Sequence, residues 1–100
     1  MFYIKTRAGF HIKFANQYLV SVQFGPGNYC ANHDMVIGSE EEEAGRVGSP
    51  TAEVAVIDTR ETDRTKRLLA LPEFEGGIVG GYYTAEMVLE LMNKVAGWER

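Results

Sequence analysis

The polar stretch at residues 58–67 contains the side chains best suited to bind an anion: Arg60, Arg64, Lys66 and Arg67. A guanidinium group presents a planar fork of hydrogen-bond donors that matches the geometry of a phosphate. We therefore predict that Arg60 and Arg64 together bind a phosphate group. Acidic residues alternate with these cations, so the alternative is an exposed edge with many salt bridges, which would also protect the protein from strand-to-strand aggregation.

Aromatic residues beside glycine-rich turns supply a second part of a nucleotide site. Tyr29 follows the turn-forming segment 25–28, and Tyr82 follows the glycine-rich segment 76–81. A tyrosine ring can stack on any nucleobase because every base presents a π-face. Ordinary packing is the alternative role for each ring. The predicted ligand-binding residues are Asn28, Tyr29, Arg60, Arg64 and Tyr82.

Residue types that serve catalysis or metal binding are present, but not in a recognisable arrangement. Cys30, His33 and Asp34 lie close in sequence, yet a nucleophile and its base meet in space rather than by spacing. Together with His11 they offer metal-ligating atoms, but the chain has no C-x-x-C or H-x-x-x-H pair. We therefore predict a protein that is not an enzyme and needs no metal or cofactor. Cys30 is interpreted as a small buried apolar residue.

A second functional hypothesis rests on residues 25–51, which contain no convincing periodic element. A loop of this length in a small domain tends to be functional or disordered. Its middle holds four consecutive glutamates: Glu40, Glu41, Glu42 and Glu43. We interpret residues 39–50 as a mobile acidic loop. Alternatively, these carboxylates imitate the phosphate row of a nucleic acid and inhibit a bacterial defence complex by binding its basic cleft, as an anti-CRISPR-like protein would.

Length, composition and charge limit the class of protein. One hundred residues suffice for a single domain, predicted to span residues 1–100. The lone cysteine excludes an internal disulfide, and the sequence shows neither a signal segment nor an apolar run of about 20 residues. We therefore expect a cytoplasmic protein that does not enter a membrane. The net charge of −4 disfavours direct binding of nucleic acid, which requires a basic surface.

Apolar residues alternate with a period of two in the first quarter of the chain, which predicts three strands over residues 2–6, 10–14 and 18–24. Short turns can join only antiparallel neighbours, so these strands are expected to form a meander. Alternation at residues 52–59 predicts a further strand. Residues 66–71 are expected to return as its partner, with Pro72 ending that strand.

The last element is predicted to be an amphipathic helix. Thr84 is a good N-cap, and Gly97 is expected to end the helix in a left-handed conformation. The apolar positions at helical spacing are Met87, Val88, Leu91, Met92 and Val95. Because such a stripe must be covered, the predicted fold class is α+β. We expect an antiparallel β-sheet of about five strands, with an N-terminal meander, covered by a C-terminal amphipathic helix.

Three segments resemble a pattern of small accessory proteins of tailed phages. Residues 14–30 read FANQYLVSVQFGPGNYC and begin with the F-x-N-x-Y-x-x-S-V pattern of those proteins. Residues 52–56 read AEVAV and resemble their middle strand. Residues 81–90 read GYYTAEMVLE and are similar to their closing G-Y-x-T-x-E-x-V-L-E helix. The order of these segments spans most of the chain.

Phage proteins of this size and plan include the Thoeris anti-defence sponges. These proteins hold cyclic nucleotide signals in pockets at oligomer interfaces, using arginine, asparagine and aromatic side chains. The resemblance implies a homo-oligomer in the cytoplasm of an infected bacterium. Its function would be to bind and sequester a small phosphorylated nucleotide, a cyclic immune signal, without catalysis.

Overall fold

The structure, a computed structural model, describes residues 1–5, 9–25, 29–31 and 48–99. Within these residues five strands form one antiparallel sheet whose spatial order follows the chain, and one α-helix packs on it. The elements are β1 (Phe2–Lys5), β2 (Gly9–Lys13), β3 (Tyr18–Gln23), β4 (Thr51–Asp58), a short 3-10 helix (Pro72–Phe74), β5 (Gly80–Thr84) and α1 (Ala85–Ala96). The predicted α+β class, the N-terminal meander and the C-terminal helix are confirmed. No helix in these ranges is long and apolar enough to cross a membrane.

The fifth strand is not the segment that the sequence favoured. Residues 66–71 make only one isolated antiparallel bridge to β4, between Leu68 and Ile57. The strand beside β4 is instead β5, which pairs with the first half of β4. The free side of β4 is thus shared between two segments of the chain. Residues 66–71 thus return antiparallel to β4 as predicted, but as a single bridge rather than a strand, because alternation along β4 does not specify which segment takes which half.

The sheet has two faces, and the residues of β3 and β4 alternate between them. The face covered by α1, here called the helix face, includes Val20 and its register partner Val56, both with no exposed surface. From α1, Leu91 and Val95 join this cluster. The other face, here called the opposite face, includes Leu19 and residues in register with it. Burial of aliphatic side chains on the helix face provides the main stabilisation of the fold.

The two ends of α1 are capped differently. At the start, the Thr84 hydroxyl accepts a hydrogen bond from the Met87 N–H at 3.3 Å, which confirms the predicted N-cap. At the end, Gly97 has φ −85°, a right-handed conformation, so the predicted left-handed cap was wrong. A left-handed turn would supply backbone donors to the last helical carbonyls. Here the N–H groups of Gly97 and Trp98 still donate to the last helical carbonyls, and a side chain distant in sequence adds a further donor.

That side chain belongs to Asn16, in the turn between β2 and β3. Its Nδ2 donates to the carbonyl oxygens of Val95 at 2.8 Å and Trp98 at 2.9 Å, while its Oδ1 accepts from the Tyr18 N–H at 3.1 Å. Asn16 is only 7% exposed. The left-handed residue of the turn is Gln17, with φ 75°. Asn16 is therefore used for its amide, which joins the meander to the helix end.

The glycine-rich segment before β5 is used for close packing. A Cβ atom on Gly80 would lie 2.6 Å from the Phe74 ring and 2.7 Å from the Tyr83 ring. These two rings meet edge to face with centroids 5.8 Å apart. Only a residue without a side chain fits beneath this pair. The segment continues into β5, so a strand separates it from the first turn of α1.

Candidate anion-binding site

Arg60 is engaged by its own neighbours. Its Nε lies 3.0 Å from Asp58 Oδ1 and its Nη2 lies 3.3 Å from Asp58 Oδ2, a two-point contact in which each nitrogen donates to one carboxylate oxygen. The guanidinium carbon also lies 4.9 Å from the centroid of the Tyr18 ring. The hydrogen bond from Arg60 lowers the pKa of the Asp58 carboxyl. Two of the five N–H donors of this guanidinium are thus used in a two-point contact with a carboxylate of the protein itself.

Arg64 lies elsewhere, at a concavity of about 400 Å³ on the opposite face. Arg67 lines the same concavity, and both arginines are exposed. Its floor is apolar and consists of Leu19, Ile57 and Leu68. Its rim is basic and consists of His11, Arg64 and Arg67. The structure therefore pairs Arg64 with Arg67 and not with Arg60.

The acidic residue nearest in sequence does not neutralise this rim. Asp63 Oδ1 accepts hydrogen bonds from the Thr65 N–H at 2.9 Å and the Thr65 hydroxyl at 2.7 Å. These bonds lower the pKa of Asp63, whose other oxygen lies 4.0 Å from Lys66 Nζ. No carboxylate in the described parts of the chain forms an ion pair with Arg64 or Arg67. The positive charge of both arginines therefore faces the concavity without an opposing charge from these residues.

The loop that presents these arginines is fixed at both ends. At its start, Thr59 donates to the Gln17 carbonyl from its N–H at 3.2 Å and from its hydroxyl at 2.6 Å. At its end, the Arg67 carbonyl accepts from the Asp58 N–H at 2.9 Å, which holds Arg67 beside β4. A binding group held on a fixed backbone loses less conformational freedom when a ligand arrives. The site is thus ordered by the sheet that supports it.

Tyr29 and Tyr82 meet at the other end of β4. The Tyr82 N–H donates to the Tyr29 carbonyl at 2.9 Å, and both side chains are more than half exposed. The Tyr29 N–H in turn donates to Glu53 Oε2 at 2.7 Å. Tyr82 has φ 57°, a conformation that costs a non-glycine residue roughly 1–3 kcal/mol. The two predicted aromatic contacts are therefore adjacent.

The four predicted ligand contacts that the structure describes do not gather in one place within one chain. Glu53, which holds Tyr29, and Asp58, which holds Arg60, are separated by roughly 17 Å along β4. Arg64 lies beyond that end too, on the opposite face. Asn28 lies outside the described residues, so the structure does not place it. Ligand binding by this set stays a prediction.

The structure describes only some of the other residues that the sequence analysis named. Cys30 is 1% exposed, and its Sγ accepts a hydrogen bond from the Gly25 N–H at 3.4 Å, which confirms a buried residue. His33 and Asp34 lie outside the described residues. So do residues 39–47 of the predicted acidic loop, including the four glutamates Glu40, Glu41, Glu42 and Glu43. In the ranges that the structure covers, no group of three His, Cys, Asp or Glu side chains is placed to hold a metal ion.

The sequence interpretation missed the apolar floor of the concavity. Leu19 and Ile57 alternate with core residues and point away from the helix face, where polar side chains would be usual for an exposed sheet. Two large aliphatic residues at such positions are a signal that something packs against that face. Arg67 was noted among the basic residues but was not placed in the site.

Comparison with known proteins adds no relative. No family model matches this chain, and neither a curated protein nor a solved structure matches it. The function is therefore inferred from the arrangement of its own residues.

Proposed function

We propose that the protein binds a small phosphorylated nucleotide at the concavity on the opposite face and sequesters it without chemical change. The observation that supports this proposal is the pairing of Arg64 and Arg67 above an apolar floor in a concavity of about 400 Å³. Guanidinium groups bind phosphate oxygens through charge-assisted hydrogen bonds. Ile57 and Leu68, which are partly exposed, offer apolar surface to a base or a sugar. A volume of this size falls within the range typical of small-molecule sites.

Charge distribution also supports an anionic ligand at this position. The chain as a whole is acidic, with a net charge of −4. The aspartates of this stretch have cationic partners of their own, Arg60 for Asp58 and Lys66 for Asp63, so neither forms an ion pair with the arginines at the concavity. A local positive site on an acidic protein attracts a small anion, while the overall charge repels long nucleic acid.

The biological role that we propose is that of a phage-type anti-defence protein. Sequestration of a cyclic nucleotide immune signal is the role implied by the resemblance described above. Such a protein removes its signal by binding it rather than by catalysis. It therefore needs high affinity and must be present in an amount comparable to that of the signal. Assembly as a homo-oligomer belongs to the same proposal.

The test is a thermal-shift and calorimetry screen against cyclic dinucleotides, cyclic trinucleotides, cyclic ADP-ribose isomers, linear nucleotides and inorganic phosphate. A ligand at 1,000 times its Kd stabilises the folded state by about 4 kcal/mol. Arg64→Gln and Arg67→Gln should each weaken the binding of the ligand found by roughly tenfold or more, because each removes a charge-assisted hydrogen bond worth about 1.5–3 kcal/mol.

Arg60→Gln is the matched control, because it removes the same charge from an arginine that already binds Asp58. It should leave the Kd within about twofold, since charges away from the contact contribute little. An equal loss in all three variants would point to a general charge effect rather than this site. A screen without any stabilising ligand would refute the proposal.

Tyr82→Ala distinguishes this concavity from the site of five residues predicted from sequence. If one chain forms the whole site, the variant should leave the Kd unchanged, because Tyr82 lies at the far end of β4. A large loss of affinity would mean that the tyrosines of a second copy complete the site. Either result locates the ligand.

The alternative function, inhibition of a defence complex by the acidic run, depends on residues outside the described ranges. Its test is independent of the concavity. Changing Glu40, Glu41, Glu42 and Glu43 to Gln should abolish inhibition under this alternative, and added salt should weaken the inhibition steeply. Under the nucleotide proposal the same variant should bind its ligand normally.

A further inference from the structure

The outer side of β1 is a regular strand edge. In the register of β1 with β2, the Met1 ammonium donates to the Lys13 carbonyl at 3.0 Å and the Lys13 N–H donates to the Met1 carbonyl at 2.8 Å. Backbone groups alternate in direction along a strand, so Tyr3 also bonds to β2, whereas Phe2 and Ile4 direct their N–H and C=O groups outward. No other strand among the described residues pairs with that side.

Side chains along β1 leave apolar surface exposed on both faces of the sheet. Phe2 is 73% exposed and Met1 is exposed to a similar degree. Tyr3, on the face that includes His11, is also exposed. The Phe2 ring contacts Phe10 of β2, with centroids 6.4 Å apart. Monomeric proteins usually protect such an edge with charged residues, a proline or a bulge; β1 contains no proline, and its one charged residue, Lys5, is at its end.

The edge at the other side of the sheet is irregular. The pairing of β4 with β5 shifts register between Ala52 and Val54. Tyr82 interrupts β5 with a positive φ, and its N–H binds the Tyr29 carbonyl. Bulges and distortions of this kind are a common means of preventing further strand addition. The two edges therefore differ, and β1 is the one suited to extend the sheet.

We propose that two copies of this chain pair through β1, antiparallel and around a twofold axis at Tyr3. In this register Phe2 lies opposite residue 4 of the second copy, and these positions exchange their outward N–H and C=O groups. The same strand serves both copies, as a twofold interface requires. The apolar Phe2 rings of both copies then lie on one face across the junction. The result is a single continuous sheet across both copies.

The size of this interface predicts its strength. Each copy contributes a strand of four residues, so the buried area is below the roughly 1,200 Å² of a stable complex. The dimer should therefore form in a concentration-dependent way rather than persist at all concentrations. This inference specifies the homo-oligomer of the proposed function, but its test does not depend on ligand binding at the concavity.

Sedimentation velocity of the full chain from micromolar to millimolar concentration tests the proposal. The weight-average mass should rise from 11.1 kDa toward twice that value. Phe2→Lys should raise the dimer Kd by roughly tenfold or more, because it places two like charges on one face near the axis. Leu89→Lys is the matched control, since Leu89 is exposed on α1 and receives the same charge. It should leave the Kd within about twofold.

Ile4→Pro tests the backbone contribution separately. Proline removes an outward N–H but leaves the β1–β2 hydrogen bonds of neighbouring positions intact. It should also raise the dimer Kd, and an unchanged melting temperature at low concentration would show that the monomer still folds. A mass of 11.1 kDa at every concentration would overturn the proposal. A dimer that neither variant weakens would overturn it too, because its interface would lie elsewhere.

Discussion

The helix face and the opposite face of the sheet are made by alternate residues of the same strands. On the helix face, Val20 and Val56 are fully buried in a cluster with Leu91. On the opposite face, Leu19 and Ile57 form the floor of a concavity with an arginine rim. The first face stabilises the fold by burying apolar surface. On the second face Leu19 is also buried and Ile57 is partly buried, while Arg64 and Arg67 are exposed. Substitutions on the two faces should therefore separate stability from binding.

The largest effect should come from the helix face. Leu91→Ala removes a side chain that is 4% exposed and should lower the free energy of unfolding by about 3 kcal/mol, through lost burial and the cavity that remains. Urea denaturation measures this change. Leu89→Ala, at an exposed position of the same helix, is the control and should change stability by about 0.5 kcal/mol at most. Equal effects at both positions would contradict the assignment of the core.

The next effect concerns the link between the meander and the helix end. Asn16→Ala should lower the free energy of unfolding by about 2 kcal/mol, because it removes the side-chain donor to the Trp98 carbonyl and one of the two donors to the Val95 carbonyl, which keeps only the Trp98 N–H. Asn16→Asp should cost at least as much, since a carboxylate keeps the acceptor but loses the donor. Thermal and urea denaturation measure both variants. A neutral Asn16→Asp would contradict the hydrogen bonds described here, and Asn93→Ala on exposed helix surface is the control.

Arginines on the opposite face should matter little for stability. Arg64→Gln and Arg67→Gln each remove an exposed charge without a described ion-pair partner, so the free energy of unfolding should change by less than about 0.5 kcal/mol. Urea denaturation of the ligand-free protein checks this. If either variant unfolds the protein, the concavity is part of the structural core and the contrast between the faces fails.

The smallest effect should be a pH dependence that comes from Asp58. Its pKa is lowered by the hydrogen bond from Arg60, so its ionised form favours the folded state. That contribution is present above the pKa of an unfolded aspartate and is lost as the pH falls through the folded value, below about pH 4. Arg60→Gln should make the loss of stability between neutral and acidic pH smaller than in the wild type. Denaturation at several pH values measures it.

Lys94→Gln is the companion variant for that experiment. The hydrogen bond from Lys94 lowers the pKa of Glu73, so Glu73 also contributes to the loss of stability at acidic pH. Lys94→Gln should remove that contribution. The two variants should act independently because the pairs lie in different parts of the fold. An acid profile unchanged by Arg60→Gln would mean that Asp58 is not stabilised by its pair.

The parts of the fold that sequence predicted are those governed by local rules. Alternation and short turns specified β1, β2 and β3, and the Thr84 cap with its apolar stripe specified α1. The fifth strand depends on competition between two segments for one side of β4, which no local pattern decides. The right-handed Gly97 depends on Asn16, a residue distant in sequence. Such contacts exist only after the chain has folded.

The candidate site, like the fold, could be predicted from the sequence only in part. Basic residues in one stretch indicated an anion site, and that part of the prediction led to Arg64 and Arg67. Arg60 contacts Asp58 and Tyr18, whereas Arg64 and Arg67 line the concavity. This difference depends on which side of the loop each residue occupies. The separation of the tyrosines from the arginines follows from the length of β4, since Tyr29 binds near its start. The sequence contains the side chains that could bind an anion, but the fold of the sheet determines which of them lie close together.

The bonds from Asn16 to the carbonyls of Val95 and Trp98 have a consequence for synthesis of the protein. During translation the meander is made first, and the acceptors of the Asn16 amide follow 79 and 82 residues after Asn16. Until then the helix face of the sheet lacks its cover, and the nascent chain exposes aliphatic surface that invites association with other chains. A premature stop before Val95 would therefore leave a product that cannot complete its core and is a substrate for quality-control proteases.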